Sequence, residues 1–161
     1  MRPLRIYVDT SVLGGCFDDE FREDSLRLWH EFATRTKILV LSDLVAEELE
    51  RAPPEVKQLV ADLPDDALEK IALDEEAIEL AEAYLQAGIV AQSSLSDARH
   101  IAMATIANVD AIVSWNFAHI VNLGRIRQYH AANIRLGYPM IEIRTPREVL
   151  ENEDQSSSPE A

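Results

Sequence analysis

Four polar residues, Asp9, Glu48, Asp97 and Asn116, stand where apolar patterns are interrupted. Asp9 follows the apolar stretch LRIYV, and Asn116 comes just after AIVSW. Glu48 lies inside LVAEEL, and Asp97 sits near the start of LSDARHIAMAT. Gathered in one cleft, they would offer three carboxylates and one amide, a hard oxygen set suited to Mg²⁺ or Mn²⁺. Such an ion lowers the pKa of a water it binds and stabilises charge on the phosphate under attack. The chemistry implied is hydrolysis of a phosphodiester.

The elements that must position these residues are legible in outline. Ser94 and Asp97 have capping-box spacing, so a helix is predicted to start at Ser94 with Asp97 in its opening turn, where the helix dipole favours the ionised acid. Ile101, Ala102, Thr105 and Ile106 then recur on one helical face and point it at a core. Asn108 and Asp110 supply a turn. Ala111 to Val113 follows as a short buried strand, ending in Ser114, Trp115 and Asn116. Open parallel sheets bind ligands beyond the carboxyl ends of their strands, which puts Ser114 and Asn116 in the customary place for chemistry. Leu4 to Val8 reads as a first buried strand and brings Asp9 to an equivalent place.

Glu48 is singled out by periodicity. At about 100° per residue, Leu44, Val45 and Leu49 define an apolar stripe that includes Glu48, whereas Glu47 points away. A carboxylate there is costly unless a cation, a metal or a water-filled cleft lies beside it; a structural ion pair with an arginine would also satisfy it. Its helix follows a strand over Lys37 to Leu41, with Ser42 or Asp43 as cap.

Elsewhere, Gly14 and Gly15 are expected to break the chain, and a helix starting at Asp24 or Ser25 places Ser25, Leu28, Trp29 and Phe32 on one face. Pro54 begins a helix running towards Pro64. Asp74 caps a long acidic helix with Ala77, Ile78, Ala81 and Leu85 inward, closed by Gly88. Residues from about Phe117 to Leu136 form a helix or helix pair, broken near Gly124 and ended by Gly137. His119, Arg125 and Arg127 lie just past the polar strand end, as phosphate contacts or as ordinary surface positions. Met140 to Ile143 reads as a last strand, and Thr145, Pro146 and Glu148 as the start of a short helix. Alternating strands and helices predict an α/β fold: three layers, α/β/α, around a mainly parallel sheet. Residues 1–150 are expected to form one domain and residues 151–161 a disordered acidic tail.

Composition narrows the classes. The 161 residues are 47 % apolar, with no uncharged run near the length of about 18 residues needed for a membrane span, so no membrane partner is expected. The apolar start is interrupted by Arg5 and followed at once by Asp9, unlike a secretion signal. A single cysteine, Cys16, excludes an internal disulfide and a cysteine-rich zinc site, and suits a reducing cytoplasm. The net charge of −14 disfavours broad electrostatic binding of nucleic acid, although arginines concentrated in the last third leave room for a local basic surface. No GxGxxG, P-loop or GxSxG pattern occurs, which disfavours dinucleotide, nucleoside triphosphate and acyl-transfer chemistry.

Over residues 4–150 the order of the motifs IYVDTSVL, LSDLVAEEL, SDARHIAMAT and AIVSWNFAHIVN, with the closing PMIEIRTPREVL, resembles the PIN-domain nucleases. The likeness is to the VapC-like toxins of bacterial and archaeal toxin–antitoxin pairs in particular. The resemblance implies a PIN-like fold and a metal site of Asp9, Glu48 and Asp97, with Asn116 where many members carry a fourth acid. It implies that Thr10 supports the site through its hydroxyl. It also implies an RNA substrate, a homodimer and a cognate antitoxin that blocks the cleft. Two other functions fit some of the same residues. One is a catalytically weak or inactive PIN-fold module that holds a partner, motivated by the acidic balance and Asn116. The other makes Asp9 a phospho-accepting aspartate, against which stand the missing second acid two residues on and the lack of a suitably placed lysine.

Overall fold

A computed structural model describes residues 2–151; the expected disordered tail, apart from Glu151, lies outside the described residues. The chain runs β1 (Leu4–Val8), α1 (Thr10–Gly15), α2 (Arg22–Ala33), β2 (Lys37–Ser42), α3 (Asp43–Leu49), α4 (Pro54–Ala61) and β3 (Leu68–Ile71). It continues through α5 (Glu75–Gln86), α6 (Leu95–Ile106), β4 (Ala111–Val113), α7 (Leu123–Arg135), β5 (Ile143–Arg144) and α8 (Pro146–Val149). The five strands form one sheet in the order β3-β2-β1-β4-β5, and every pairing is parallel. Each strand's successor in the sheet is reached through a helical crossover, as parallel pairing demands.

Strand alternation divides the core into two. Ile6, Val8, Leu39, Leu41, Ala111 and Val113 face one side and pack with Leu28, Phe32 and Val45 from α2 and α3. Tyr7, Val40 and Ile112 face the other side and pack with Tyr84, Ile101, Met103 and Tyr129 from α5, α6 and α7. The sheet is thus covered on both faces, the three-layer α/β/α arrangement expected, and this is why its central strands β1, β2 and β4 read as apolar runs. Among the described residues no helix is long and apolar enough to cross a membrane.

Several boundaries differ from expectation. Gly14 and Gly15 do not break the chain but end the short helix α1. Helix α2 begins at Arg22, ahead of Asp24. Leu68–Ile71, a strand absent from the sequence reading, pairs with β2 at the sheet edge. In α5 Leu80 and Tyr84 join Ala77 and Ala81 in the core with Leu85 packed against them, as expected for Ala77, Ala81 and Leu85, while Ile78 is exposed. Gly88 does terminate that region in the left-handed conformation, with φ +75°. Helix α6 starts where predicted, but Ser94 caps nothing through its side chain because a 3₁₀ turn, Gln92–Ser94, leads into it. Gly124 breaks nothing: α7 starts at Leu123, with the Asn122 side chain accepting from the Arg125 N–H. The last strand is Ile143–Arg144 rather than Met140 to Ile143, and the expected capping box at Thr145 and Glu148 is present.

Candidate active site

The strand order reverses between β1 and β4: β1, β2 and β3 run outward to one edge, β4 and β5 to the other. At such a switch point the two crossovers leave on opposite faces and open a crevice at the strands' carboxyl ends. Asp9 leaves β1 there and Ser114 leaves β4, brought side by side by the pairing of Val8 with Val113. Ser114 Oγ donates to Asp9 Oδ2 at 2.5 Å, and Ser11 Oγ donates to Asp9 Oδ1 at 2.5 Å. Asp9 is 5 % exposed. Burial pushes its pKa above the ordinary carboxylate value, against the charge of His100 and the two serine hydroxyls, which favour ionisation.

Glu48 comes to the same crevice from α3, oriented by the Ser42 cap on Val45 N–H. Thr10 Oγ1 donates to Glu48 Oε2, Ser96 Oγ donates to Oε1 at 3.3 Å, and His100 Nε2 lies 3.4 Å from Oε1. The partner that makes a carboxylate tolerable in this apolar stripe is therefore a histidine with two hydroxyls, not an arginine. His100 holds the Glu48 carboxyl below its ordinary range. Glu47 points out to solvent, as the helical wheel requires.

Asp97 lies in the first turn of α6. Burial raises its pKa and nearby Asp9 adds repulsion, while His100 and His119 oppose the rise. Asn116 Nδ2 donates to Asp97 Oδ1 at 3.3 Å. The Asn116 Oδ1 atom accepts the backbone N–H groups of Ala118 and His119 at 3.1 and 3.0 Å, and its own N–H donates to Ser114 Oγ at 2.9 Å. Asn116 thus fixes the turn after β4 and steadies Asp97 with its amino group. The His119 Nδ1 atom is buried without a hydrogen-bond partner.

Two hydrogen-bonded clusters consequently face one another: Asp9, Ser114, Asn116 and Asp97 in one, Glu48 with Thr10, Ser96 and His100 in the other, and the charge of His100 acts on all three carboxylates. Sequence reasoning missed His100, Ser11, Ser96 and Tyr7. Tyr7 OH lies 2.7 Å from His100 Nδ1 and donates to Ser42 Oγ at 2.9 Å, so His100 is braced from behind. The available signal was spacing, since His100 lies three residues after Asp97 on the same helical face.

Among the described residues no three His, Cys, Asp or Glu side chains are gathered closely enough to hold an ion between them. The donors nevertheless fit a hard cation. Asp9, buried, and Asp97, half-buried, lie close enough to repel one another, a repulsion that a cation would relieve, and Mg²⁺ keeps several waters while using only one or two carboxylates. Asp9 and Asp97 meet that requirement, with Glu48 alongside.

The fold and site together define an α/β protein of PIN-like architecture with an acidic crevice at the switch point. No family model matches the chain, and no curated protein matches it. Among solved structures it is similar to Mycobacterium tuberculosis VapC20, described as a sarcin-ricin loop cleaving toxin, with a TM-score of 0.54. The two are 17 % identical over 71 % of this chain and 92 % of that one. A likeness at this identity establishes the fold.

Proposed function

We propose that this protein is a ribonuclease of the VapC type, the toxin of a toxin–antitoxin pair, acting with Mg²⁺ or Mn²⁺. The observation that carries the reading is the meeting of Asp9, Glu48, Asp97 and Asn116 at the switch point of a fold shared with an RNA-cleaving toxin. Asp9 and Asp97 would hold the cation, with Glu48 directly or through water. When bound, the cation activates water and offsets charge on the phosphate. Ser11 and Ser114 hold both Asp9 oxygens in place; Thr10, Ser96 and His100 do the same for Glu48. Asn116 fixes one oxygen of Asp97. Residues locked in this way keep reacting groups in register, which is where much of the rate of phosphoryl chemistry originates. A cognate antitoxin that covers the crevice, a homodimer and a cytoplasmic location complete the proposal.

The test is cleavage of total RNA and of RNA carrying the sarcin-ricin loop by the purified chain. Cleavage is expected with Mg²⁺ or Mn²⁺ and is expected to vanish with EDTA or with Asp97→Asn. Activity surviving both changes overturns the reading.

A second reading, a PIN-fold module that binds a partner without catalysis, is favoured by one observation: among the described residues no three ligating side chains are gathered. Calorimetric titration with Mn²⁺ separates the two. Saturable binding that Asp9→Asn abolishes supports the nuclease, and its absence supports the module.

A further inference from the structure

We infer that Phe21, Trp115 and Phe117 form a stacking subsite for a nucleobase of the RNA, next to the carboxylate crevice; the identity of the ligand rests on the ribonuclease reading. The Phe21 and Trp115 rings are stacked, with centroids 4.4 Å apart and planes inclined by 17°. Phe117 leans on both, at 6.2 Å from each, yet remains 50 % exposed. Three rings in contact, one of them half in water, make an aromatic patch rather than a lone exposed side chain.

The platform is rigidly tied to the site. Trp115 Nε1 donates to the buried Ser25 Oγ at 2.8 Å, and Trp115 N–H donates to Ser11 Oγ at 2.9 Å. That same Ser11 hydroxyl donates to Asp9. Beneath the indole, Gly15 offers a surface where a Cβ would come within 2.8 Å of Nε1. Phe117 follows directly on Asn116, whose amide holds Asp97.

A cavity of about 520 Å³ is lined by Phe21 and Trp115 together with Ser11, Asp18 and Asn116, the residue just before Phe117. None of the described residues lining it is Lys or Arg, so its side chains offer a phosphate no ion pair. Flat aromatic walls and a carboxylate able to accept from amino or imino N–H groups suit a base. With a net charge of −14 the chain gains little from phosphate attraction, and stacking supplies affinity that does not depend on charge.

The experiment follows the change in tryptophan fluorescence, which reports on Trp115 because Trp29 is buried out of reach of a ligand, on the full chain with Ca²⁺ as the only divalent ion and the RNA checked intact on a gel. The probes are a short single-stranded RNA and an abasic oligomer of the same length. Intact RNA is expected to quench, and the abasic oligomer to bind about tenfold more weakly. Phe117→Leu, at an exposed position, is expected to lose about the same factor, while Phe117→Tyr retains wild-type affinity. Equal affinity for both oligomers overturns the proposal, as does full affinity in Phe117→Leu, which would mark the patch as an apolar surface for a protein partner. Base-dependent quenching without cleavage in Mg²⁺ would sink the ribonuclease and leave the subsite standing. Cleavage without base-dependent quenching would do the reverse.

Discussion

A single buried hydroxyl is the most economical probe of the crevice. Ser114 donates to Asp9 and accepts from the Asn116 N–H, so Ser114→Ala leaves the buried Asp9 carboxylate and the half-buried Asn116 N–H each one partner short. The expected cost is about 1–3 kcal/mol in urea denaturation. Because the lost contact orients a cation-binding carboxylate, initial cleavage rates should also fall about 10–100-fold. Asp97→Asn should behave in the opposite way on stability. It removes a carboxylate that burial and the neighbouring Asp9 disfavour, so the melting temperature without divalent ions should hold or rise while cleavage falls further than in Ser114→Ala. A large loss of stability in Asp97→Asn would mean that this carboxylate is structural. Asp9, Glu48, Asp97 and Asn116 are legible in the sequence because each interrupts an apolar pattern that is otherwise regular. His100 is not, because a histidine on an inward helical face has the same pattern whether it fills a core or braces a carboxylate.

At the scale of elements, the approach of α1 to the segment after β4 depends on Gly15. A Cβ there would lie 2.7 Å from Ser25 Oγ and 2.9 Å from Trp115 Cδ1, so Gly15→Ala must displace the indole or the helix. The expected cost is about 1–3 kcal/mol, read by denaturation. At the opposite end of the sheet, Arg5 of β1 reaches across β2 to Glu69 of β3 with two hydrogen bonds, at 2.9 and 2.6 Å, and also donates to the carbonyls of Ala107 and Asn108 after α6. Arg5 lowers the Glu69 pKa, so the pair stabilises the fold above the unfolded value of about 4.3 and is lost as pH falls through the depressed folded value. Both groups are partly exposed, and solvent screening keeps the contribution under about 1 kcal/mol. Glu69→Gln should therefore flatten the fall in stability between about pH 5 and pH 3 and change little under acid conditions where both proteins carry a neutral side chain. An unchanged acid limb would remove Glu69 from the account. The strand carrying Glu69 was invisible in the sequence for a related reason. Leu68–Ile71 is a four-residue edge strand of half-exposed residues, so it lacks the apolar run by which β1, β2 and β4 announce themselves.

For the molecule as a whole, alternation of strands and helices was enough to imply a parallel sheet, but not the order β3-β2-β1-β4-β5, because neighbours in a parallel sheet are set by long-range packing rather than local pattern. That order creates the crevice, and it places two disfavoured carboxylates in a chain that already carries a net charge of −14. Ions should therefore stabilise the protein in two separable ways. Any salt screens the general self-repulsion. A divalent ion that binds the folded crevice adds a linkage contribution of about 2.7 kcal/mol at a hundred times its Kd. For a chain of this size that corresponds to a rise of about 5–10 °C in melting temperature. The expected result is a rise with Mg²⁺ or Mn²⁺ well beyond that with NaCl of equal ionic strength, reversed by EDTA. Asp9→Asn should keep the salt response and lose the excess. An equal response in wild type and Asp9→Asn would locate the bound ions on the acidic exterior, where they serve no chemistry.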